Sequence, residues 1–153
     1  MLTVLTAGLT TILGCGTTSI EASRSAIPRT VPAVASGAEL STALSAFESG
    51  SFGYAVRYFE MASKENPNDM VSCLGMAASY DWLYRFELAD DAYDRCGEID
   101  DGSFSYHNNK GFSYLLRGDY GNASVSFARA AQLQPDSPVI QNNLKVLQDA
   151  TSG

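Results

Sequence analysis

A chain of 153 residues is enough for one domain of ordinary size and too short for two full cores. Ten Lys plus Arg against seventeen Asp plus Glu give a net charge of -7, which argues against nucleic-acid binding and against docking on anionic lipid through basic residues. One histidine and three cysteines are too few for a zinc site at short ligand spacing, so no metal and no cofactor is expected.

In chain order, the first element is the uncharged stretch Met1 to Gly14, rich in Leu, Thr, Val, Ile, Ala and Gly. It has the texture of a signal-peptide apolar region and is shorter than the about 20 residues needed to span a bilayer. The run Ile12-Leu13-Gly14-Cys15 resembles the bacterial lipobox. That resemblance implies residues 1–14 as a lipoprotein signal peptide, Cys15 as the lipidated first mature residue, and, because Gly16 and not Asp follows, a place on the periplasmic face of the outer membrane. No Lys or Arg precedes the apolar run, which departs from the pattern. The competing reading is an ordinary N-terminal helix with an incidental cysteine. Residues 15–36, rich in Thr, Ser, Ala and Gly with Pro28 and Pro32, read as the lipidated cysteine and a flexible tether. About twenty such residues span roughly 25 Å by the random-coil estimate.

From Gly37 onward the sequence repeats itself with a period of 34. Ala55, Ala89 and Ala123 fall in register, as do Phe59, Tyr93 and Phe127, and Ala62, Cys96 and Ala130. Upstream, Ala43, Ala77 and Gly111 align, followed by Ala46, Tyr80 and Tyr114, and then Phe52, Phe86 and Tyr120. Small residues let two antiparallel helices approach, and the ring between them fills the space against the next unit. Gly50-Ser51, Tyr84-Arg85 and Gly118-Asp119 mark the turn inside each unit, while Pro67 and Pro135 close the first and third units, with Asp101 at that place in the second. The predicted fold is all-α: a superhelical array of three helix hairpins over about 37–69, 70–103 and 104–136. A capping helix over 137–150 closes it, where the run from Val139 to Leu147 is apolar at helical spacing on one side and polar on the other.

This register resembles the tetratricopeptide repeat over 37–136, about two thirds of the chain. The departures, Tyr84 for the turn glycine and Asp101 for the closing proline, lie in the second unit. No glycine-rich phosphate loop, zinc-protease motif or serine elbow is present, so the chain is not expected to be an enzyme or to take a small-molecule substrate. His107, the only histidine, has no nameable catalytic partner and reads as a packed or rim residue. The acids Glu87, Asp90, Asp91, Asp94, Glu98, Asp100 and Asp101 lack calcium-loop spacing and read as a solvated helix face. Met70 to Ser103 holds eight acids against Arg85 and Arg95, a net of -6 (2 minus 8), so a basic partner is one reading of that unit and simple solubility the other. Cys73 opens the first helix of the second unit and Cys96 nearly ends its second helix. In an antiparallel hairpin those ends are neighbours, so the pair is a candidate disulfide, with two buried thiols as the alternative.

The resemblance implies a concave groove that binds an extended or helical peptide. Projected onto this sequence, it is lined by Leu40, Leu44 and Phe47, by Leu74, Ala78 and Trp82, and by Asn108, Phe112 and Leu115. Trp82 is the expected anchor. The groove positions hold no Lys or Arg to clamp a terminal carboxylate, as chaperone-binding members of the family do, so an apolar helix or strand is the expected ligand. The end segment from Phe127 to Leu147 is most similar to the TadD family of Flp-type (tight adherence) pilus assembly. By that resemblance the partner is a protein of the pilus or secretion machinery, such as a secretin, and the role is pilotin-like. A general periplasmic scaffold for envelope assembly and a regulatory subunit of a cell-wall enzyme are the alternatives.

Overall fold

The structure, a computed structural model, describes residues 26–152; the apolar stretch 1–14 and Cys15 lie outside the described residues. Among the described residues seven helices follow one another: α1 (Glu39–Glu48), α2 (Phe52–Glu65), α3 (Met70–Trp82), α4 (Phe86–Asp100), α5 (Phe104–Leu116), α6 (Tyr120–Leu133) and α7 (Pro138–Thr151). Among the described residues there is no strand. The helices pair as α1/α2, α3/α4 and α5/α6, and α7 lies against α6.

Local chemistry sets these boundaries. Each hairpin turns at a left-handed residue: Gly50 at φ 73°, Tyr84 at φ 55° and Gly118 at φ 77°, spaced 34 apart like the rest of the register. Asp69 caps α3 by accepting from the Val71 and Ser72 amides, Ser103 caps α5 through the Tyr106 amide, and Asp119 caps α6 through the Asn122 amide. Pro138 opens α7, where its missing N–H costs nothing.

Tyr84 is the only non-glycine residue at positive φ among the described residues, and its side chain is 69% exposed. Left-handed backbone costs an L-residue about 1–2 kcal/mol, partly offset by the extra freedom glycine loses on folding. Tyr84→Gly is therefore expected to stabilise the fold by about 0.5–1 kcal/mol, measured by urea unfolding. An unchanged or lower midpoint would contradict the strain.

The repeat register becomes the core. Ala43, Ala55, Ala77, Ala89 and Ala123 are fully buried, and so are the rings of Phe59, Tyr93 and Phe127. Phe59 lies so tightly over Gly75 of α3 that a Cβ there would come within 2.3 Å of its ring, and Phe127 stands in the same relation to Gly111 at 2.5 Å. The apolar interior nevertheless divides. One cluster spans the first two hairpins and reaches Tyr106, and a second joins α5, α6 and α7 around Phe127 and Ile140. Where α3 and α4 meet α5, polar side chains bridge the two.

One boundary departs from the sequence reading. Residues 26–36, expected to belong to a free tether, lie along the first hairpin. Ile27, Val31 and Val34 pack against its core, Arg57 Nε donates to the Pro28 carbonyl at 2.7 Å, and the Tyr58 hydroxyl donates to the Pro32 carbonyl at 3.0 Å. The Ala26 carbonyl crosses Gly53, where any side chain would collide with it. The physical reason is that the second hairpin covers only one side of the first, and three aliphatic residues cover apolar surface that it leaves. The folded unit therefore includes residues 26–36, ahead of the boundary expected at 37.

Candidate functional site

Helices α1, α3 and α5 line a trough made of two cavities that share Phe47, Ala78 and Asn109. The first, about 410 Å³, is walled by Leu44, Phe47, Leu74 and Ala78 together with Met70, Val71, Gly75 and the ring of Phe59, and its polar lining is Ser103, Ser105 and Asn109. No charged residue lines it. The second, about 290 Å³, lies between Phe47, Ala78, Trp82, Asn108 and Phe112, with Asp81, Tyr93, Asn109 and Asn143 beneath.

Seven of the nine residues projected from the sequence thus line the trough. The other two do not: Leu40 packs against the first apolar cluster and Leu115 against the second, each half-buried. Sequence reasoning passed over Asp81, Tyr93, Asn109 and Asn143. Asn109 and Asn143 stand 34 apart, so the repeat register itself carried that signal.

Trp82 does not stand as a free anchor. Its ring stacks on Phe52, centroids 5.4 Å apart and planes 7° from parallel, and tilts against Phe112 at 6.2 Å; Phe52 in turn meets Phe47 edge-on at 5.2 Å. These four rings form a ladder across all three hairpins, worth about 0.5–1.5 kcal/mol per pair beyond the area they bury. Trp82 is still 41% exposed, so it serves the ladder and the trough at once. Leu44, 40% exposed, and Val71, 51% exposed, offer apolar surface without that structural duty.

Beneath the rings lies a polar seam. The Asp81 side chain, 3% exposed, accepts from the Ser113 hydroxyl at 2.7 Å and the Tyr93 hydroxyl at 3.0 Å. Arg117 Nη2 stands 3.7 Å from Asp81 and donates to Ser113 Oγ at 2.6 Å, while its Nη1 bonds Asp90 at 2.8 Å. The guanidinium also lies over the rings of Phe86, at 4.7 Å, and Tyr114, at 5.4 Å. Burial raises the Asp81 carboxyl above its ordinary 3.8, outweighing the downward pull of Ser113, Tyr93 and Arg117. Burial likewise pushes the Tyr93 phenol well above 10.0, with the adjacent Asp81 charge adding to it. Asn143 Nδ2 donates to Asn108 Oδ1 at 2.9 Å, tying α7 to α5.

Cys73 and Cys96 form a disulfide that closes the second hairpin at its open end, their Cα atoms 5.7 Å apart. His107 sits half-buried in the first turn of α5, edge-on to Tyr106 at 5.3 Å, and burial followed by the nearby Arg129 charge lowers its pKa below 6.5. Among the described residues no group of three or more His, Cys, Asp or Glu is placed to hold a metal ion, and no helix is long and apolar enough to cross a membrane.

No protein-family model and no curated protein matches the chain. Solved structures do. The first TPR domain of human RPAP3, determined by NMR, matches with a TM-score of 0.67 at 16% identity, over 75% of this chain and 91% of that one. The Arabidopsis OM64 TPR domain matches at 0.64 and 20% identity, over 72% of this chain and 92% of that one. The first TPR of Spaghetti (RPAP3), bound to the HSP90 peptide SRMEEVD, matches at 0.66 and 16% identity, over 75% and 94%. The chain has the tetratricopeptide-repeat fold: a superhelical array of three helix hairpins, closed by α7.

Proposed function

We propose that this protein is a docking scaffold without a reactive centre, which holds an apolar segment of a partner protein in the trough of α1, α3 and α5. The observation that carries the reading is the uncharged 410 Å³ cavity with Leu44 and Val71 exposed at its rim. A groove of aliphatic and aromatic side chains on rigid helices is what an amphipathic helix or apolar strand needs for capture. The peptide held by Spaghetti is rich in acidic residues, whereas the residues lining this trough include no Lys or Arg. The segment taken here is therefore of a different chemistry.

The test is capture of blocked synthetic peptides, displayed as an array, by the full chain. Leu44→Arg places a charge in the apolar cavity at an exposed position, so it is expected to weaken capture at least tenfold without lowering the melting temperature. Val125→Arg, on α6 at a residue 71% exposed, is expected to change neither. Capture that survives Leu44→Arg would remove the trough from the function.

The cellular setting in this proposal is the periplasmic face of the outer membrane, with Cys15 lipidated and a secretin or another pilus-assembly component as partner. It is supported by the lipobox-like run before Cys15 and by the TadD-like end segment. Cys15→Ser is expected to move the protein from the membrane to the soluble fraction, and deletion of the gene is expected to abolish pili. Retention of pili would leave a scaffold with a different client.

A further inference from the structure

The docking reading leaves one feature of the trough unused, the charge on its floor. Asp81 lines the second cavity and is almost fully buried. Facing it are Tyr93 and Asp90 from α4, Ser113 from α5 and Arg117 at the C-terminal cap of α5. Two carboxylates thus share a single guanidinium, and Arg117 is closer to Asp90, at 2.8 Å, than to Asp81, at 3.7 Å. The site is short of one positive charge. No Lys or Arg lines either cavity, and the surrounding unit, Met70 to Ser103, carries a net of -6 (2 minus 8).

The same cavity has the other parts that a cation's side chain requires. Trp82 and Phe112 line its wall, and aromatic rings are favourable neighbours for a long alkyl stem and its charged head. Asn108, Asn109 and Asn143 add amide groups to its lining.

Resting on the docking reading above, we propose that the second cavity receives a lysine or arginine side chain of the bound segment, beside an apolar side chain held in the first. The cation completes the two-carboxylate, one-guanidinium cluster, and a charged donor on a buried carboxylate is the strong form of such a contact. An anionic side chain or a free carboxyl terminus is rejected there, because it meets a buried like charge whose one nearby guanidinium is already shared by Asp81 and Asp90.

The experiment uses the full chain against an array of peptides blocked at both ends, each with one leucine and one varied position. Selection of lysine or arginine at a fixed spacing from the leucine is expected. Replacing that lysine by norleucine, which keeps the stem and removes the charge, should lower affinity about tenfold, and replacing it by glutamate should lower it further. Asp81→Asn should erase the lysine-over-norleucine preference while leaving the leucine preference in place. Should that variant fail to fold, the wild type supplies the same contrast. As pH falls through the raised pKa of Asp81 toward 3.8, its carboxylate is protonated and the preference should shrink, while the affinity for the norleucine peptide holds. Selected peptides that lack a basic residue, or that bind equally well with norleucine, would overturn this inference and leave the trough as a docking site. Absence of any peptide whose capture depends on Leu44 would overturn both.

Discussion

Replacing Arg117 by alanine is expected to cost about 3 kcal/mol and to make unfolding two-staged. The side chain lies where the apolar interior of the described residues is interrupted, between the cluster of the first two hairpins and that of α5 to α7. It bonds Asp90 at 2.8 Å and Ser113 at 2.6 Å and stands 3.7 Å from the buried Asp81. Its removal strands one carboxylate in the interior and exposes a second, and it also takes the cation from the rings of Phe86 and Tyr114. In a stacked array each unit is stabilised mainly by its neighbours, so a weakened junction lets the terminal part unfold alone. Hydrogen exchange followed through urea unfolding should show α5, α6 and α7 losing protection before α1 to α4. Arg117→Lys keeps a charge but not the planar fork, and should recover only part of the loss. A single transition at the wild-type midpoint would contradict the seam.

Removal of the disulfide by the double change Cys73→Ala and Cys96→Ala is expected to cost a similar amount. The bridge spans 23 residues of sequence and encloses nearly the whole second hairpin, a loop worth about 3 kcal/mol in the chain-entropy account. Both cysteines are buried, Cys96 completely, so alanine removes the bond while disturbing packing little. The second hairpin is also the one with the non-glycine turn and the heaviest negative charge, and the bridge holds together the unit with the weakest local signals. Thiol titration of folded, unreduced protein should detect neither Cys73 nor Cys96. Two reactive thiols from this pair, or an unchanged urea midpoint in the double variant, would count against the bridge.

The array was legible in the sequence because packing imposes a spacing. Ala55, Ala89 and Ala123 recur every 34 residues since each must let two helices approach, and Phe59, Tyr93 and Phe127 recur because each fills the same space. The groove that the family resemblance implies, laid on that register, gave Leu44, Phe47, Leu74, Ala78, Asn108 and Phe112, whereas Trp82 stands one place past Asp81, the register mate of Phe47. The seam was not legible, because its pairs are distant in sequence: Ser113 meets Asp81 across 32 residues and Arg117 meets Asp90 across 27. One trace of it was present. Tyr93 occupies a place where the other units have phenylalanine, and a hydroxyl in a fully buried ring position requires an acceptor nearby. Residues 26–36 misled for the opposite reason. Their composition is that of a linker, and only the uncovered surface of the first hairpin gives Ile27, Val31 and Val34 a place to pack.

The central claim is that the trough of α1, α3 and α5 is the working surface. Its most direct test is nuclear magnetic resonance of the labelled full chain titrated with the tightest peptide from the array. Shifts are expected in the Trp82 indole N–H, the amides of Leu44 and Ala78, and the side-chain amides of Asn108, Asn109 and Asn143, with α6 around Val125 unmoved. Shifts confined to α2, α4 and α6, with these trough signals unmoved at saturation, would contradict it.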